Sequence, residues 1–329
     1  MRPFRFLTAL TLVSSTVTAK STKSAKRGLV STPNANWPDD DAIWVHPDSP
    51  ISWYYNFHWN VSSSYASLPQ DEVEFVPMMW GGGANDTHFL GNVTALMNTP
   101  SGSGRKITHV LAFNLPDQPL SHGGSEMAPA VAARAWVRNL VPLRERGIKI
   151  GLPVVGDPRG GWMDPFLANC TLLNEGKERG FDFVPLHSFG GLGVLQDKVG
   201  MFSSAFPGVS LWVTEYGYND QNLTTTQEFF NQSLSYLDGS DVVQRYCWFG
   251  SFRGVVSNVG PNQAMLDPYG NLTDIGSWYL GGDPTGNSAL PTDTPGEICC
   301  TADRPCGDNA ASVRSRGLWS VVLCLVLLL

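Results

Sequence analysis

The chain has 329 residues, 42% of them hydrophobic, enough for one sizeable core with two short ends. Its 22 Lys and Arg against 29 Asp and Glu give a net charge of −7. That balance argues against a partner held through a polyphosphate backbone and is indifferent to a neutral, hydroxyl-rich polymer.

The first residues read as an export signal: basic Arg2 and Arg5, an apolar stretch from Phe6 to Val13, and a small-residue cleavage site at Val17-Thr18-Ala19. The expected order is then a signal peptide over 1–19, a disordered basic and Ser-rich lead-in over 20–26, and a folded domain over 27–282. A Pro/Thr-rich stalk over 283–308 follows, and a removed GPI-attachment signal over 309–329 closes the chain, with Asn309 as the modified residue. The closing apolar run, 318–329, is shorter than the ~20 residues of a spanning helix.

Seven Asn-x-Ser/Thr sequons, at Asn60, Asn85, Asn92, Asn169, Asn222, Asn231 and Asn271, suit a secreted glycoprotein at the cell surface or wall. Cys170, Cys247, Cys299, Cys300 and Cys306 remain once the tail is removed, an odd set. The tight 299–306 group reads as a disulfide clip, since it lacks CxxC spacing and a nearby histidine. His58, His88, His109 and His122 show no metal-ligand spacing, so neither metal nor cofactor is expected.

Between the ends, apolar runs alternate with longer segments. Strands are expected at 27–30, 51–57, 74–80, 108–113, 149–155, 182–187, 210–214 and 242–248. The clearest helix is 127–146, with Ser125 as its N-cap, Gly147 as its stop and Pro142 as a kink or break. Eight βα repeats in a span close to the ~250 residues of such folds predict α/β architecture, a single (β/α)8 TIM barrel.

In that architecture the chemistry sits at the carboxyl ends of the strands. Those ends carry Asn56, Trp80, Asn114-Leu115-Pro116-Asp117, Asp157, His187-Ser188-Phe189, Glu215-Tyr216 and Trp248-Phe249. Glu215 closes an apolar run as a carboxylate in a site would. Trp53, Tyr55, Trp80, Tyr216, Tyr246 and Trp248 are candidate platforms for sugar rings, with Tyr216 and Trp248 preferred. Met78 and Met79 read as core filler, and Asp39-Asp40-Asp41 as a solvated surface run.

At these residues the chain resembles glycoside hydrolase family 128, the alkali-sensitive-linkage-like glycosyl hydrolases of fungi and bacteria. Ser52-Trp53-Tyr54-Tyr55-Asn56, Phe75-Val76-Pro77-Met78-Met79-Trp80-Gly81 and Trp212-Val213-Thr214-Glu215 are similar to its strand motifs. So are Arg245-Tyr246-Cys247-Trp248-Phe249-Gly250 and Leu272-Thr273-Asp274-Ile275-Gly276. The resemblance implies a TIM-barrel endo-β-1,3-glucanase plan, with an acid/base on strand four and a nucleophile on strand seven. Glu215 falls on the nucleophile. Where the family has Asn-Glu-Pro-Asp, this chain has Leu115 in place of the acid/base. Asn114 would touch the sugar's 2-hydroxyl or the nucleophile, and His187 would hold Glu215. Ser188 and Val155-Gly156-Asp157 depart from the family's usual strand endings.

Hydrolysis by a retaining glycosidase needs two carboxylates about 5–5.5 Å apart. The expected function is therefore binding of β-1,3-glucan or its oligosaccharides by a surface-anchored monomer, with hydrolysis lost or much reduced. The enzyme alternative is a retaining endo-β-1,3-glucanase taking its proton from Asp117 or Glu126. A third reading is a wall mannoprotein with a vestigial cleft.

Overall fold

The computed structural model describes residues 23–98, 104–176 and 180–290. The signal peptide, the 299–306 cysteine group, Asn309 and the GPI signal lie outside the described residues.

Eight parallel strands appear in the expected order: β1 (Gly28–Val30), β2 (Trp53–Tyr55), β3 (Glu74–Phe75), β4 (His109–Val110), β5 (Lys149–Ile150), β6 (Phe183–Phe189), β7 (Ser210–Gly217) and β8 (Val243–Trp248). They group as β1-β2-β3, β4-β5 and β6-β7-β8. Isolated parallel bridges join these groups, Met78 to Leu111, Gly151 to Phe183, and Arg27 to Tyr246. Helices α1 (His88–Met97), α2 (Pro129–Glu145), α3 (Met163–Leu173), α4 (Leu192–Ala205), α5 (Leu223–Gly239) and α6 (Asp274–Tyr279) lie between and after them. The fold is thus α/β, with the strands parallel and the crossovers mostly helical.

The period of two along each strand sorts the side chains onto two faces. Val30, Trp53, Tyr55, Val76, Met78, Leu111, Phe183, Trp212 and Cys247 pack together on one. Leu29, Tyr54, Phe75, Val110, Leu211, Val213, Tyr246 and Trp248 pack on the other, with Trp136, Phe202, Phe229 and Phe230 of the helices. Met78 and Met79 divide between the two faces, both buried.

Helix α2 ends as its sequence predicts. Gly147 takes a positive φ, its N–H donates to Arg144 O and that of Ile148 to Leu143 O, which closes the helix in a Schellman turn. Its start differs from expectation. The N-cap is Ala128, and Ser125 Oγ makes no hydrogen bond. Pro142 does not divide the assigned span. The carbonyl it leaves without a helical donor belongs to exposed Arg138, and the buried face from Ala132 to Leu143 holds the turn in place.

The acidic run 39–41 is not a solvated surface. It forms a 3-10 turn in which Asp41 is buried and Asp40 takes two hydrogen bonds of 2.7 Å from Arg253. Nor is the lead-in loose from Lys23 onward. Lys26 Nζ donates to Leu237 O, Asp238 O and Ser240 O, where the dipole of α5 favours a cation. At the far end the first residues assigned to the stalk still pack on the domain: Thr285 and Gly286 donate to Asp274, and Ala289 is buried against Gly254.

Candidate functional site

Glu215 owes its direction to a bulge. Leu186 pairs with Val213 and His187 with Glu215, so Thr214 is an extra residue in β7, and the pairing with β8 shifts at the same place. Strict alternation from inward-facing Trp212 would send Glu215 outward. One inserted residue reverses that, as bulges beside functional sites do. Glu215 then lies beside His187 of β6 and Tyr55 of β2, and is only 7% exposed.

Tyr55 Oη donates to Thr214 O at 3.2 Å and lies 3.3 Å from Glu215 Oε1. His187 Nε2 is also 3.3 Å from Oε1 but out of hydrogen-bond alignment, and both ring nitrogens of His187 are left without a hydrogen bond. No Lys or Arg ion-pairs with Glu215 among the described residues. Burial therefore dominates and pushes the Glu215 carboxyl up to about 8, against the pull of the Tyr55 hydroxyl. Burial, with Lys198 adding repulsion, pushes His187 down to about 3, so its ring is neutral.

At the end of β4, Asn114 N–H donates to Trp80 O and its Nδ2 to Gly123 O at 3.0 Å, leaving Oδ1 buried without a donor. Leu115 follows, half-buried, with φ +41. Asp117 Oδ2 accepts from Gly156 N at 2.9 Å, and its Oδ1 is buried and unpartnered. Lys198 of α4 donates to His187 O at 3.1 Å and feels the charge of Asp117. Glu126 is exposed, and its Oε2 accepts from Leu120 N. Asn114 Oδ1, Asp117 Oδ1, Ser125 Oγ and both nitrogens of His187 are thus orphaned buried polar atoms along the carboxyl ends of β4 to β6, while Ser188, paired with Tyr216, turns to the helix side. Buried polar atoms are rarely left unpaired, and such a concentration suits a site that binds hydroxyl groups.

The aromatic assignments need correction. Tyr216, Tyr246 and Trp248 are all 0% exposed and offer no face to a ligand. Tyr216 packs edge-on against Phe229, Tyr246 and Trp248; Tyr246 donates to Asp238; Trp248 Nε1 donates to Gln263 O. The alternation that turns Trp248 toward the helices turns Phe249 toward the strand ends. Phe57, Trp80 and Phe249 lie partly buried over the inward cluster, and Phe189 contacts Phe249 with ring centroids 5.8 Å apart. Of the named platforms Trp80 keeps an accessible surface, whereas Trp53 and Tyr55 are buried in that inward cluster. Phe57, Phe189 and Phe249 were missed as platforms, although counting by two from inward-facing Cys247 points to Phe249. Asn56 is also spent on structure: it donates to Asn60 O and Ser62 Oγ and accepts from His58 N, which ties its own loop.

Elsewhere, a groove of about 490 Å³ runs beside α2, α3 and the end of α4, lined by Trp136, Val141, Arg159, Leu167, Cys170 and Phe206. It contains none of the orphaned polar atoms, so the strand ends and not this groove carry the chemistry. Among the described residues no His, Cys, Asp or Glu cluster could hold a metal ion. Asn60, Asn85, Asn222, Asn231 and Asn271 are exposed, and Asn92 and Asn169 half-buried.

Residues 28–279 match the family profile described as "Glycosyl hydrolase catalytic core". The chain is similar to Alkali-sensitive linkage protein 1 of Schizosaccharomyces pombe, 28% identical over 269 residues, which cover 79% of this chain. It spans 45% of that relative's length. In structure it is similar to a GH128 subgroup II endo-β-1,3-glucanase of Pseudomonas viridiflava, with a TM-score of 0.60 and 26% identity over 80% of this chain and 100% of the other. It also shares its fold with a GH128 subgroup VII oligosaccharide-binding protein of Trichoderma gamsii, with a TM-score of 0.58 and 16% identity over 80% and 95%. The profile match over nearly the whole described domain places the chain: it belongs to the glycosyl hydrolase catalytic core family, glycoside hydrolase family 128.

Proposed function

We propose that this protein binds β-1,3-glucan or its oligosaccharides in a glucanase-like cleft and has lost most or all of the family's hydrolysis. One observation carries the reading. Glu215 is a buried carboxyl at the end of β7 where, by the resemblance, the family has its nucleophile, and Leu115 follows β4 where the resemblance would put the acid/base. General acid/base assistance is worth ~10²–10⁴ in rate, and a sugar leaving group needs the proton. Asp117 and Glu126 are poor substitutes. One is fixed on the Gly156 amide, and the other is exposed on a loop. The similarity to both a glucanase and an oligosaccharide-binding protein supports the substrate class and leaves either outcome open to the family.

The architecture goes with this proposal. We read the eight strands as one closed (β/α)8 barrel, because the bridges at Met78, Gly151 and Arg27 link the three strand groups in a ring. The cleft is then its mouth, with Phe57, Trp80, Phe189 and Phe249 at the rim and Asn114, His187 and Glu215 within. Export through the secretory route, glycosylation at the sequons and a GPI anchor near Asn309 place a monomer beside glucan at the cell surface.

The test is to incubate the purified protein with a β-1,3-linked glucopentaose and follow new reducing ends over days, with Glu215→Gln as the blank. The expected result is saturable binding with no release above the blank. Steady turnover that vanishes in Glu215→Gln would establish the enzyme reading and send the search for the acid back to Asp117. Absence of saturable binding would leave the cleft vestigial.

A further inference from the structure

A count of protons around Glu215 goes beyond the identity of the ligand. Tyr55 Oη has one hydrogen and two acceptors to serve, Thr214 O at 3.2 Å and Glu215 Oε1 at 3.3 Å. The carbonyl can only accept. When the tyrosine proton goes to it, Oη and Oε1 face each other as two oxygens, and the pair is favourable only if the carboxyl brings a proton of its own. The other neighbour does not relieve this. His187 carries one ring hydrogen in its neutral form, and neither of its nitrogens is aligned with Oε1. Cys247 of β8, fully buried, also faces Glu215 and supplies no positive charge. Lys198 on α4 is spent on His187 O and leans toward Asp117.

We propose that Glu215 works in this site as a neutral carboxylic acid, a hydrogen-bond donor to the bound glucan and not a nucleophile. Its proton points to Tyr55 Oη in the free protein and turns to an oxygen of the bound glucan, the Tyr55 proton then serving Oε1. The inference rests on the binding function proposed above. It explains why a family nucleophile can persist beside a missing acid: as a donor it needs no partner carboxyl. A retaining nucleophile must be ionised to attack, whereas the upward push on this group leaves it protonated below about 8.

Two measurements on the intact protein test this. The first is the infrared difference spectrum of wild type against Glu215→Gln. It should contain a protonated-carboxyl stretch at about pH 6 that gives way to a carboxylate stretch as the pH passes about 8. A carboxylate stretch already present at about pH 6 overturns the proposal. The second is the affinity for β-1,3-linked glucopentaose as a function of pH. The wild-type association constant should be level below the transition and fall about tenfold per pH unit above it, while Glu215→Gln, whatever its absolute affinity, gives a flat profile. A flat or rising wild-type profile also overturns it. If neither protein binds the pentaose, the failure belongs to the glucan-binding reading, and the infrared measurement alone decides where the proton is.

Discussion

Two carboxyls, Glu74 half-buried and Glu215 buried, lie at opposite ends of the strands and meet opposite fates. Glu74 opens β3 at the amino ends. It accepts from Arg245 at 2.6 Å and Thr108 at 2.5 Å and meets His109 Nδ1 at 2.7 Å. The Arg245 guanidinium lies over the Trp212 ring at 4.2 Å. Burial alone would raise the Glu74 pKa, but the His109 hydrogen bond and the Arg245 charge outweigh it and hold the group at about 2. Glu215, at the carboxyl ends, has a contested tyrosine proton, a misaligned histidine and no cation, and is pushed up to about 8. The floor carboxyl has partners on both oxygens. The mouth keeps several buried polar atoms without protein partners, a division of stability from function that this kind of fold allows between its two ends.

Breaking the floor should have the largest effect. Glu74→Gln leaves the half-buried Arg245 charge without its carboxylate and is expected to cost about 2–3 kcal/mol in denaturant unfolding near neutral pH. The pH dependence follows from the sign of the shift. A carboxyl held below its ordinary 4.5 stabilises the fold fully above that value, and the contribution fades as the pH falls toward about 2. The variant and the wild type should therefore converge in acid. A cost below about 1 kcal/mol at neutral pH would mean that the pair is effectively solvated and that the floor is no anchor.

The same comparison predicts the reverse at the mouth. Because the folded Glu215 binds its proton more tightly than an unfolded glutamate, its ionisation costs stability as the pH rises from about 4.5 through about 8. Glu215→Gln removes that ionisation. Paired thermal melts should show the variant more stable than wild type at about pH 8, by on the order of a few kcal/mol, and no different near pH 4. A variant that is less stable at both would show that the carboxylate is better accommodated than its neighbours suggest.

The positions of all eight strands were legible in the sequence, because apolar runs flanked by turn residues survive any detail of pairing. What each strand end does with its side chains was not. The extra residue at Thr214 exists only in the register between β6, β7 and β8, and it decides that Glu215 faces the site while Tyr216 faces α5. Without it, an aromatic beside a carboxylate reads as a platform. Trp248 and Tyr246 failed for a plainer reason: alternation on β8 sends both toward the helices, and the inward places go to Cys247 and Phe249. Asp40 looked solvated because its partner, Arg253, is more than two hundred residues away. The family, by contrast, was legible in local sequence, since short strings at strand ends keep their order whatever the register does.

The smallest effect expected concerns Leu115 itself. A leucine at φ +41 lies in left-handed space that costs an L-residue about 1–2 kcal/mol, and asparagine tolerates that region better. Leu115 is only half-buried, so part of its apolar surface gives nothing back. Leu115→Asn is therefore expected to stabilise the protein by roughly 0.5–1 kcal/mol, read as a shift in the denaturation midpoint at unchanged slope. Phe57, at φ +64 beside Tyr55, shows that the strain is not peculiar to one loop. Three of the four non-glycine residues with positive φ among the described residues, Phe57, Leu115 and Glu126, follow the carboxyl ends of strands, and Glu175 follows the end of α3. If Leu115→Asn instead weakens the fold, the leucine's packing outweighs its strain. It would then be a structural residue in its own right.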